Sequence, residues 1–175
     1  MFAAWYQFFN GHAYQLRSDI LDWHAALGTA PFVTYNGLAG HLASIESEEE
    51  QAFVESIVVE TWIAANDTKN LGNYGWAAGY DKGQELNYTL WDVSEPNTGH
   101  HCVQLRSPNL KWATQNCAVA LPWLVEFECP DGYELGPHGC RSWWIASSSV
   151  QHDSLICSEM RPTLRAWSVR GSKRV

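Results

Sequence analysis

The sequence predicts an α+β domain, because two helical segments come early in the chain and are followed by a long Gly-rich loop and then by strands. Two segments with helical spacing of apolar residues come early, near residues 19 and 47. Short apolar strands surround a long loop that is rich in Gly, Asn and Asp. The chain has 175 residues, of which 46% are hydrophobic, which is enough for one folded domain with a buried core and an appendage.

The first element predicted is a β-hairpin, because residues 5–16 are aromatic and apolar around a turn at Asn10 and Gly11. Ser18 is expected to cap a helix that begins at Asp19, where acidic residues suit the positive end of the helix dipole. Pro31 should end or kink this helix. One face of the helix is predicted to consist of Ile20, Trp23, Ala26 and Leu27.

The second helix has the clearest local signals. After a turn at residues 35–37 and a short strand at residues 41–45, Ser47 and Glu50 have the spacing of a capping box. The apolar stripe that follows predicts a helix over about residues 47–58. We expect the three glutamates at its start to be solvated and to match the helix dipole.

A long loop is predicted after a short buried strand at residues 61–65. Residues 66–88 lack regular patterning, and loops of this length are usually functional. Trp76 is expected to hold the loop against the body of the domain. Two further strands are predicted at residues 103–105 and 123–127.

Composition excludes several classes of function. A net charge of −8 argues against nucleic-acid binding, which needs a basic surface, and no apolar run is long enough to span a bilayer. Motifs for nucleophilic, phosphoryl-transfer or paired-carboxylate catalysis are missing, so we expect no enzymatic activity. The N-terminus lacks the pattern of a signal peptide, which fits either a cytoplasmic chain or a sequence without its natural beginning.

Other features favour an extracellular protein. Five Cys residues cluster in the second half of the chain, as in secreted modules. Asn66 and Asn87 each begin an Asn-x-Thr triplet, the acceptor pattern for glycosylation. We therefore expect a secreted or ectodomain glycoprotein.

The charge distribution places a domain boundary near Cys129. Residues 1–128 contain five Lys and Arg against fifteen Asp and Glu, whereas residues 129–175 contain six against four. We predict a domain at residues 5–128 and a Cys-containing tail at residues 129–175, which is either a partial extracellular module or disordered. Cys129 and Cys140 bound a short turn region and form a plausible pair, whereas residues 141–175, with Cys157, show no periodicity and are expected to be poorly ordered.

The order of several motifs along residues 5–128 resembles the C-type lectin-like domain. No single motif is decisive, but all occur in the family's order and at sensible spacings. The motifs are WxxA from Trp23, GHLASI from Gly40, SEEEQAFV from Ser47, WIAAND from Trp62, GxYxW from Gly72, LW at Leu90 followed by EPN from Glu95, CV at Cys102, WxxxxC from Trp112 and VEF from Val125.

The resemblance implies two helices that flank small antiparallel sheets, a long projecting loop that carries the ligand site, and chain ends that meet. It also implies a disulfide between Cys102 and Cys117 beneath that loop. A second family disulfide, from the first helix to the last strand, is missing, because residues 18–35 contain no Cys and Val125 stands at the other position. Packing is expected to replace it.

The resemblance further implies a calcium and sugar site. Glu95 and Asn97 occupy the positions of two calcium ligands, and Pro96 between them is expected to be cis, as is usual in the family. The next expected ligands are replaced by His100, Ala113 and Thr114. Glu95, Asn97 and Thr114 are therefore the candidate sugar-binding residues, with any calcium bound weakly, on the order of millimolar.

An accessory ion and a zinc ion are the other metal candidates. For the family's accessory ion, Asp67 matches one ligand, but Leu71, Thr98 and His101 stand at other ligand positions. Zinc held by His100, His101 and Glu95 is an alternative with little support, because adjacent side chains on a strand point to opposite faces. The preferred interpretation is that both histidines are exposed in a loop.

Two functions remain open at this point. One is an extracellular module that binds mannose-type glycans, the sugars that EPN accompanies in the family, with weak or no calcium dependence. The other is a lectin-like domain that binds a protein without sugar or calcium, in which case the EPN segment is kept for the shape of the loop.

Overall fold

The computed structural model describes residues 5–130, 133–136 and 138–142. It contains two α-helices, α1 (Trp23–Thr29) and α2 (Glu48–Glu55), and a 3₁₀ turn at Ala30–Phe32. The strands are β1 (Gln7–Phe9), β2 (His12–Leu21), β3 (Thr34–Tyr35), β4 (Leu38–Ala39), β5 (His41–Leu42), β6 (Thr61–Asn66), β7 (Gly75–Trp76), β8 (Cys102–Arg106), β9 (Lys111–Gln115), β10 (Leu121–Phe127), β11 (Tyr133–Gly136) and β12 (Gly139–Ser142).

One eight-stranded sheet organises the described residues. Its path runs β1-β2-β10-β6-β8-β9, with β5 paired to β10 and β7 paired to β6. The pairing of β10 with β6 is parallel, whereas the other pairs are antiparallel. Two small hairpins, β3-β4 and β11-β12, lie outside it. The predicted α+β class with two early helices and a long loop is confirmed.

The start of α1 differs from the prediction. Asp22 caps the helix by accepting a hydrogen bond from the Ala25 amide, so the expected start at Asp19 with Ser18 as cap is wrong. Residues 18–21 instead extend β2, where Leu21 pairs with Leu121 of β10. Strand pairing across the domain decides this boundary, and the local sequence does not contain that information. The helix ends before Pro31, as expected.

The predicted cap of α2 is confirmed, because the Glu50 amide donates to the Ser47 hydroxyl at 3.1 Å. The helix ends at Glu55 and not at residue 58, since the chain turns at Ser56, whose hydroxyl donates to the Phe53 carbonyl. The expectation that all three glutamates are solvated is wrong for Glu50. Its side chain is buried, and it accepts a hydrogen bond from the Tyr14 hydroxyl at 2.6 Å.

Four fully buried tryptophans form the centre of the core, at positions 23, 62, 112 and 123. The Trp23 indole donates to the Ile63 carbonyl at 2.8 Å and so ties α1 to β6. The Trp62 indole donates to the Leu21 carbonyl at 3.0 Å. Val125 is fully buried in the same core, and these contacts hold α1 against the sheet without a disulfide.

The second disulfide joins Cys140, in the C-terminal hairpin β11-β12, to Cys129, which precedes the hairpin. The expectation of poor order from residue 141 onward is wrong for Arg141 and Ser142, which complete β12. Residues 143–175, including Cys157, lie outside the described residues. Among the described residues, no helix has both the length and the apolar character needed to cross a bilayer.

Candidate functional site

The long loop connects β6 to β8 and is held against the domain by aromatic rings. Trp76 is only 3% exposed and packs edge-on against Trp112, with ring centroids 5.8 Å apart. Tyr88 and Trp91, later in the loop, also contact the Trp112 ring, at 6.0 and 5.7 Å. Trp112 belongs to β9, so a single core residue anchors three points of the loop.

The Cys102–Cys117 disulfide lies at the base of this loop. Cys102 is the first residue of β8, opposite Gln115 at the end of β9. The bridge therefore closes the β8-β9 hairpin and fixes the strand into which the long loop leads, and it does not close the long loop itself.

Both carboxylate oxygens of Glu95, a predicted calcium ligand, accept hydrogen bonds from other groups of the protein. One oxygen accepts from the Arg106 guanidinium at 3.0 Å. The other accepts from the Thr114 hydroxyl at 2.6 Å, the Thr114 amide at 3.1 Å and the Asn97 amide at 3.0 Å. Partial burial opposes the charge, but these donors and the charge of Arg106 outweigh it and lower the pKa of Glu95.

Arg106 connects this carboxylate to a second one. Its other terminal nitrogen donates to Asp92 at 2.6 Å, and this bond is the main reason that the pKa of Asp92 falls to about 2. Asp92 and Glu95 lie on the same segment, with a cis peptide bond between Glu95 and Pro96. The Arg106 side chain thus joins β8 to two acidic residues of the long loop.

The other predicted ligands of this site are also engaged. Thr114 is 4% exposed, and its hydroxyl accepts from the Asn97 amide at 2.9 Å while donating to Glu95. The side-chain oxygen of Asn97 accepts from the Gly99 amide at 3.0 Å. The donor set expected for calcium is therefore already hydrogen-bonded within the protein, beside a fixed positive charge. These residues do not fit a calcium ion.

The expected ligand at the accessory-ion position is likewise already bonded to other groups of the protein. Asp67 is 3% exposed, and one oxygen accepts from the Gly72 amide at 2.8 Å. The other oxygen pairs with the His101 ring at 2.9 Å. Leu71 points into solvent and is 72% exposed. The proposed zinc group also stays apart, because His100, His101 and Glu95 do not converge among the described residues.

A buried polar cluster surrounds Glu126 of β10. Glu126, 1% exposed, accepts hydrogen bonds from the Ser44 amide at 3.0 Å and the Tyr14 hydroxyl at 3.1 Å, and it pairs with His12 at 2.5 Å. Glu50 shares the Tyr14 hydroxyl. The VEF motif contained Glu126, but the residues that surround it come from distant parts of the chain.

Burial and neighbouring charges together shift the pKa values of the residues in this cluster. Burial opposes a charge on His41, but its hydrogen bond to Glu128 and the charge of Glu126 outweigh burial and raise its pKa to about 9. Burial, followed by the negative charge of Glu126, raises the pKa of Glu50. Ligand atoms of His12, Glu50 and Glu126 lie within 4.8 Å of one another, as do those of His41, Glu126 and Glu128. His12 and Tyr14 hydrogen-bond to Glu126, and His41 pairs with Glu128, so these contacts hold the end of β10 in place.

This cluster also supports the long loop. The Tyr80 amide donates to Glu128 at 2.9 Å. Gly79 has a positive φ of 81°, and a Cβ at this position would lie 3.2 Å from the His41 ring. Burial, followed by the neighbouring Asp81, raises the pKa of Glu46 to about 8.

A pocket of about 230 Å³ opens on the long loop beside Pro96. Its aromatic walls are Tyr74 and Trp91, whose ring centroids lie 5.1 Å apart at 66°. Glu85 and Thr89 provide polar groups at the pocket. The sequence motifs included Tyr74 and Trp91, but nothing in their spacing indicated a shared pocket.

The two glycosylation triplets occupy different settings. Asn66 is half-buried at the end of β6, and its side-chain oxygen accepts from the Thr68 amide at 2.9 Å and the Thr68 hydroxyl at 2.6 Å. Asn87 is exposed in the long loop. Glycosylation at both remains a prediction.

Comparison with known proteins decides the family. A family profile described as the lectin C-type domain matches residues 36–127, more than half of the chain. This chain belongs to the C-type lectin domain family. The match includes α2, the long loop and the β8-β9-β10 region, so the site described above lies within the family domain.

Two relatives illustrate different members of the C-type lectin family. The human C-type mannose receptor 2 is 29% identical over 170 residues, which are 89% of this chain but 11% of the receptor. A snaclec from Trimeresurus stejnegeri, subunit B2 of a coagulation factor IX/factor X-binding protein, is 27% identical over 126 residues, or 69% of this chain and 78% of the snaclec. The chain thus spans about a tenth of the receptor's length.

Solved structures agree with the family fold. The cow C-type carbohydrate-recognition domain of CD23, solved in the presence of GlcNAc2Man3 oligosaccharide, has a TM-score of 0.62 and 26% identity, covering 74% of this chain and 97% of that one. A calcium-independent type II antifreeze protein has a TM-score of 0.59 and 22% identity, covering 72% and 92%. The second likeness shows the fold alone.

Proposed function

We propose that this C-type lectin domain recognises an extracellular protein through the face of its long loop and does so without calcium. The observation that carries the proposal is the set of four hydrogen bonds to Glu95, one from Arg106 and three from neighbouring groups. A calcium ion at this position would have to displace a guanidinium and its bonds. Sugar recognition through calcium-bound hydroxyls is therefore disfavoured here.

Exposed apolar residues of the long loop support a protein ligand. Leu71 and Val93 are 72% and 83% exposed, and each lies within two residues of a residue that lines the Tyr74–Trp91 pocket. Large exposed apolar side chains beside a shaped pocket are typical of protein-binding surfaces. The snaclec relative is named for binding coagulation factors, which is consistent with a protein ligand in this family.

A mannose-type glycan is the second candidate, now without a calcium bridge. The aromatic walls of the Tyr74–Trp91 pocket can stack on a sugar ring, and Asn73 and Thr89 can hydrogen-bond its hydroxyls. Glu95 and Asn97 belong to the EPN motif, which the family resemblance associates with such sugars. A relative is named as a mannose receptor, which gives this candidate additional support.

Location and domain limits form part of the same proposal. Two disulfides favour an oxidising compartment, so we place the protein outside the cell, as a secreted protein or as part of a larger ectodomain. The recognition domain is taken as residues 5–128 and the remainder as an appended tail. We assign it binding and no catalysis.

Calcium calorimetry combined with a binding screen tests the proposal. We expect no heat of calcium binding up to the order of millimolar, with or without methyl α-mannoside. A screen against secreted and cell-surface ectodomains should find a partner that a chelator does not release. The double variant Leu71→Asp/Val93→Asp should weaken that binding, whereas Val59→Asp, at a 70% exposed residue outside the long loop, should not.

The opposite results are equally specific. Retention on mannose beads that a chelator releases and that Glu95→Ala abolishes would contradict the calcium-free proposal. Retention on mannose beads that resists the chelator would instead favour the second candidate.

A further inference from the structure

The pocket beside Pro96 has features that the calcium site of the family does not explain. Its volume of about 230 Å³ is comparable to one long side chain, and it is lined by the rings of Tyr74 and Trp91 and by Leu86. Pro96 also lines it. Its walls therefore combine aromatic and apolar groups with the polar side chains of Asn73, Glu85 and Thr89.

The two rings are fixed before any ligand arrives. The Tyr74 hydroxyl donates to the His100 carbonyl at 3.0 Å. Trp91 packs against the fully buried Trp112 at 5.7 Å and pairs with it in an isolated β-bridge. Side chains that are already ordered lose little conformational entropy on binding, which favours a specific ligand.

The charge at this pocket is negative. Glu85 is exposed, and its carboxylate has no hydrogen bond or ion pair among the described residues. None of the described residues that line the pocket is Lys, Arg or His. Burial, followed by the negative charges of Asp67 and Glu95, raises the pKa of Tyr74 to about 12, so this wall stays a neutral ring in a negative field.

We propose that this pocket receives the side chain of a lysine or arginine presented by the protein partner. The proposal rests on the protein-binding function argued above and specifies the chemistry of its central contact. The aliphatic stem of such a residue can lie along the Tyr74 and Trp91 rings while its charged end reaches the aromatic faces and Glu85. A neutral apolar side chain would leave Glu85 without a charged partner, and so would an uncharged sugar.

Small probes test this directly. The probes are Nα-acetyl-lysine methylamide, its arginine analogue, the uncharged norleucine analogue and methyl α-mannoside, each titrated into the folded protein while amide and indole NMR signals are followed. We expect the lysine and arginine probes to shift the Trp91 indole and Tyr74 amide signals with a Kd on the order of millimolar or weaker. The norleucine analogue should bind roughly fivefold more weakly or not at all.

Two variants separate the charge of Glu85 from general electrostatics. Glu85→Gln should weaken the lysine probe roughly fivefold and bring it close to norleucine. Glu48→Gln removes one exposed negative charge from α2, outside the pocket, and should leave the lysine titration unchanged. Both variants alter exposed residues, and the same spectra report whether they fold.

Three outcomes would overturn the inference. Equal binding of norleucine and lysine, unaffected by Glu85→Gln, would make the pocket an apolar one. Shifts of the same signals by the mannoside and not by lysine would make it a sugar site. If no probe shifts these signals, the pocket takes no part in recognition. The calcium and ectodomain experiments would still test the proposed function independently.

Discussion

The Arg106 guanidinium donates to one carboxylate oxygen of Glu95 at 3.0 Å and places a permanent positive charge against the residue that the sequence marks as a calcium ligand. The same side chain holds Asp92 at 2.6 Å. Arginine stays protonated under all physiological conditions, so its charge cannot be removed by a chelator or by a change in pH. The loop is therefore ordered by a group that belongs to the chain.

Arg106→Met should loosen the long loop. The change leaves Asp92 and Glu95 without their shared donor, and we expect the free energy of unfolding to fall by about 1–2 kcal/mol, a modest value because the Arg106 side chain is 37% exposed. Urea denaturation measures the loss, and limited proteolysis should cut the loop faster.

Arg141→Met is the matched control. Arg141 pairs with Glu134 in the C-terminal hairpin, where the two side chains are 65% and 41% exposed, so its loss should change stability by less than about 0.5 kcal/mol. Equal losses for the two variants would show that the Arg106 contacts contribute no more than an ordinary surface pair.

Stability should decline as the pH rises, because of His41. Its pKa is raised from 6.5 to about 9 in the folded protein by Glu128 and Glu126. The stabilising charge is therefore fully present below pH 6.5 and is lost as the pH rises through about 9. Denaturant titrations from pH 6 to 9.5 should show a loss on the order of 2 kcal/mol from His41, and His41→Gln should remove the part of the decline that lies above about pH 8.

Glu46 should also make the protein less stable as the pH rises, but over a lower pH range than His41. Its pKa is raised from 4.5 to about 8, so it binds a proton more tightly in the folded protein and its contribution fades as the pH rises through about 8. Glu46→Gln should flatten the lower part of the curve while leaving the His41 part intact. A profile that neither variant alters would contradict both assignments.

Removing the disulfide at the base of the long loop should destabilise the domain. Cys102→Ala/Cys117→Ala opens a bridge with a sequence separation of 15, and a closed loop of this length contributes about 3 kcal/mol. Thermal denaturation gives the loss, and proteolysis between residues 67 and 101 should become faster. Cys129→Ala/Cys140→Ala opens a bridge of similar length, with a separation of 11, and should leave cleavage of the long loop unchanged.

Gly40→Ala should be destabilising for steric reasons. A Cβ at Gly40 would lie 2.4 Å from a methyl carbon of Val125 and 2.9 Å from the Phe127 ring, both fully buried. We expect a loss of about 1–3 kcal/mol in urea denaturation. Gly28→Ala has no atom within 4 Å of the added carbon and lies in α1, so it should stabilise by about 0.5–1 kcal/mol. A neutral Gly40→Ala would indicate that β10 moves aside without cost.

Local signals were sufficient where the deciding interaction is local. Ser47 caps α2 through an amide three residues away, and Asn10 and Gly11 turn the first hairpin, both with positive φ. The same kind of reasoning placed Ser18 at the start of α1 and failed, because β2 continues to Leu21 by pairing with a strand about a hundred residues later. Sequence spacing contains no information about such a partner.

The site divides in the same way. The sequence identified Glu95, Pro96 and Asn97 as one unit and showed that most calcium ligands were replaced. It did not show that Arg106, eleven residues beyond Glu95, turns back to bind it, nor that Thr114 is buried against it. Tyr74 and Trp91 likewise appeared as separate motif residues and became two walls of one pocket only in the folded chain.

By itself, the sequence determined the class of fold, the family resemblance and the second helix, because periodicity, capping and residue identity are properties of short segments. The tertiary structure alone decided where α1 begins, that Glu50 and Glu126 are buried together, and that a guanidinium neutralises the EPN carboxylate. Those outcomes depend on which distant strands pair. Burial and charge act through space between residues that the chain order keeps far apart.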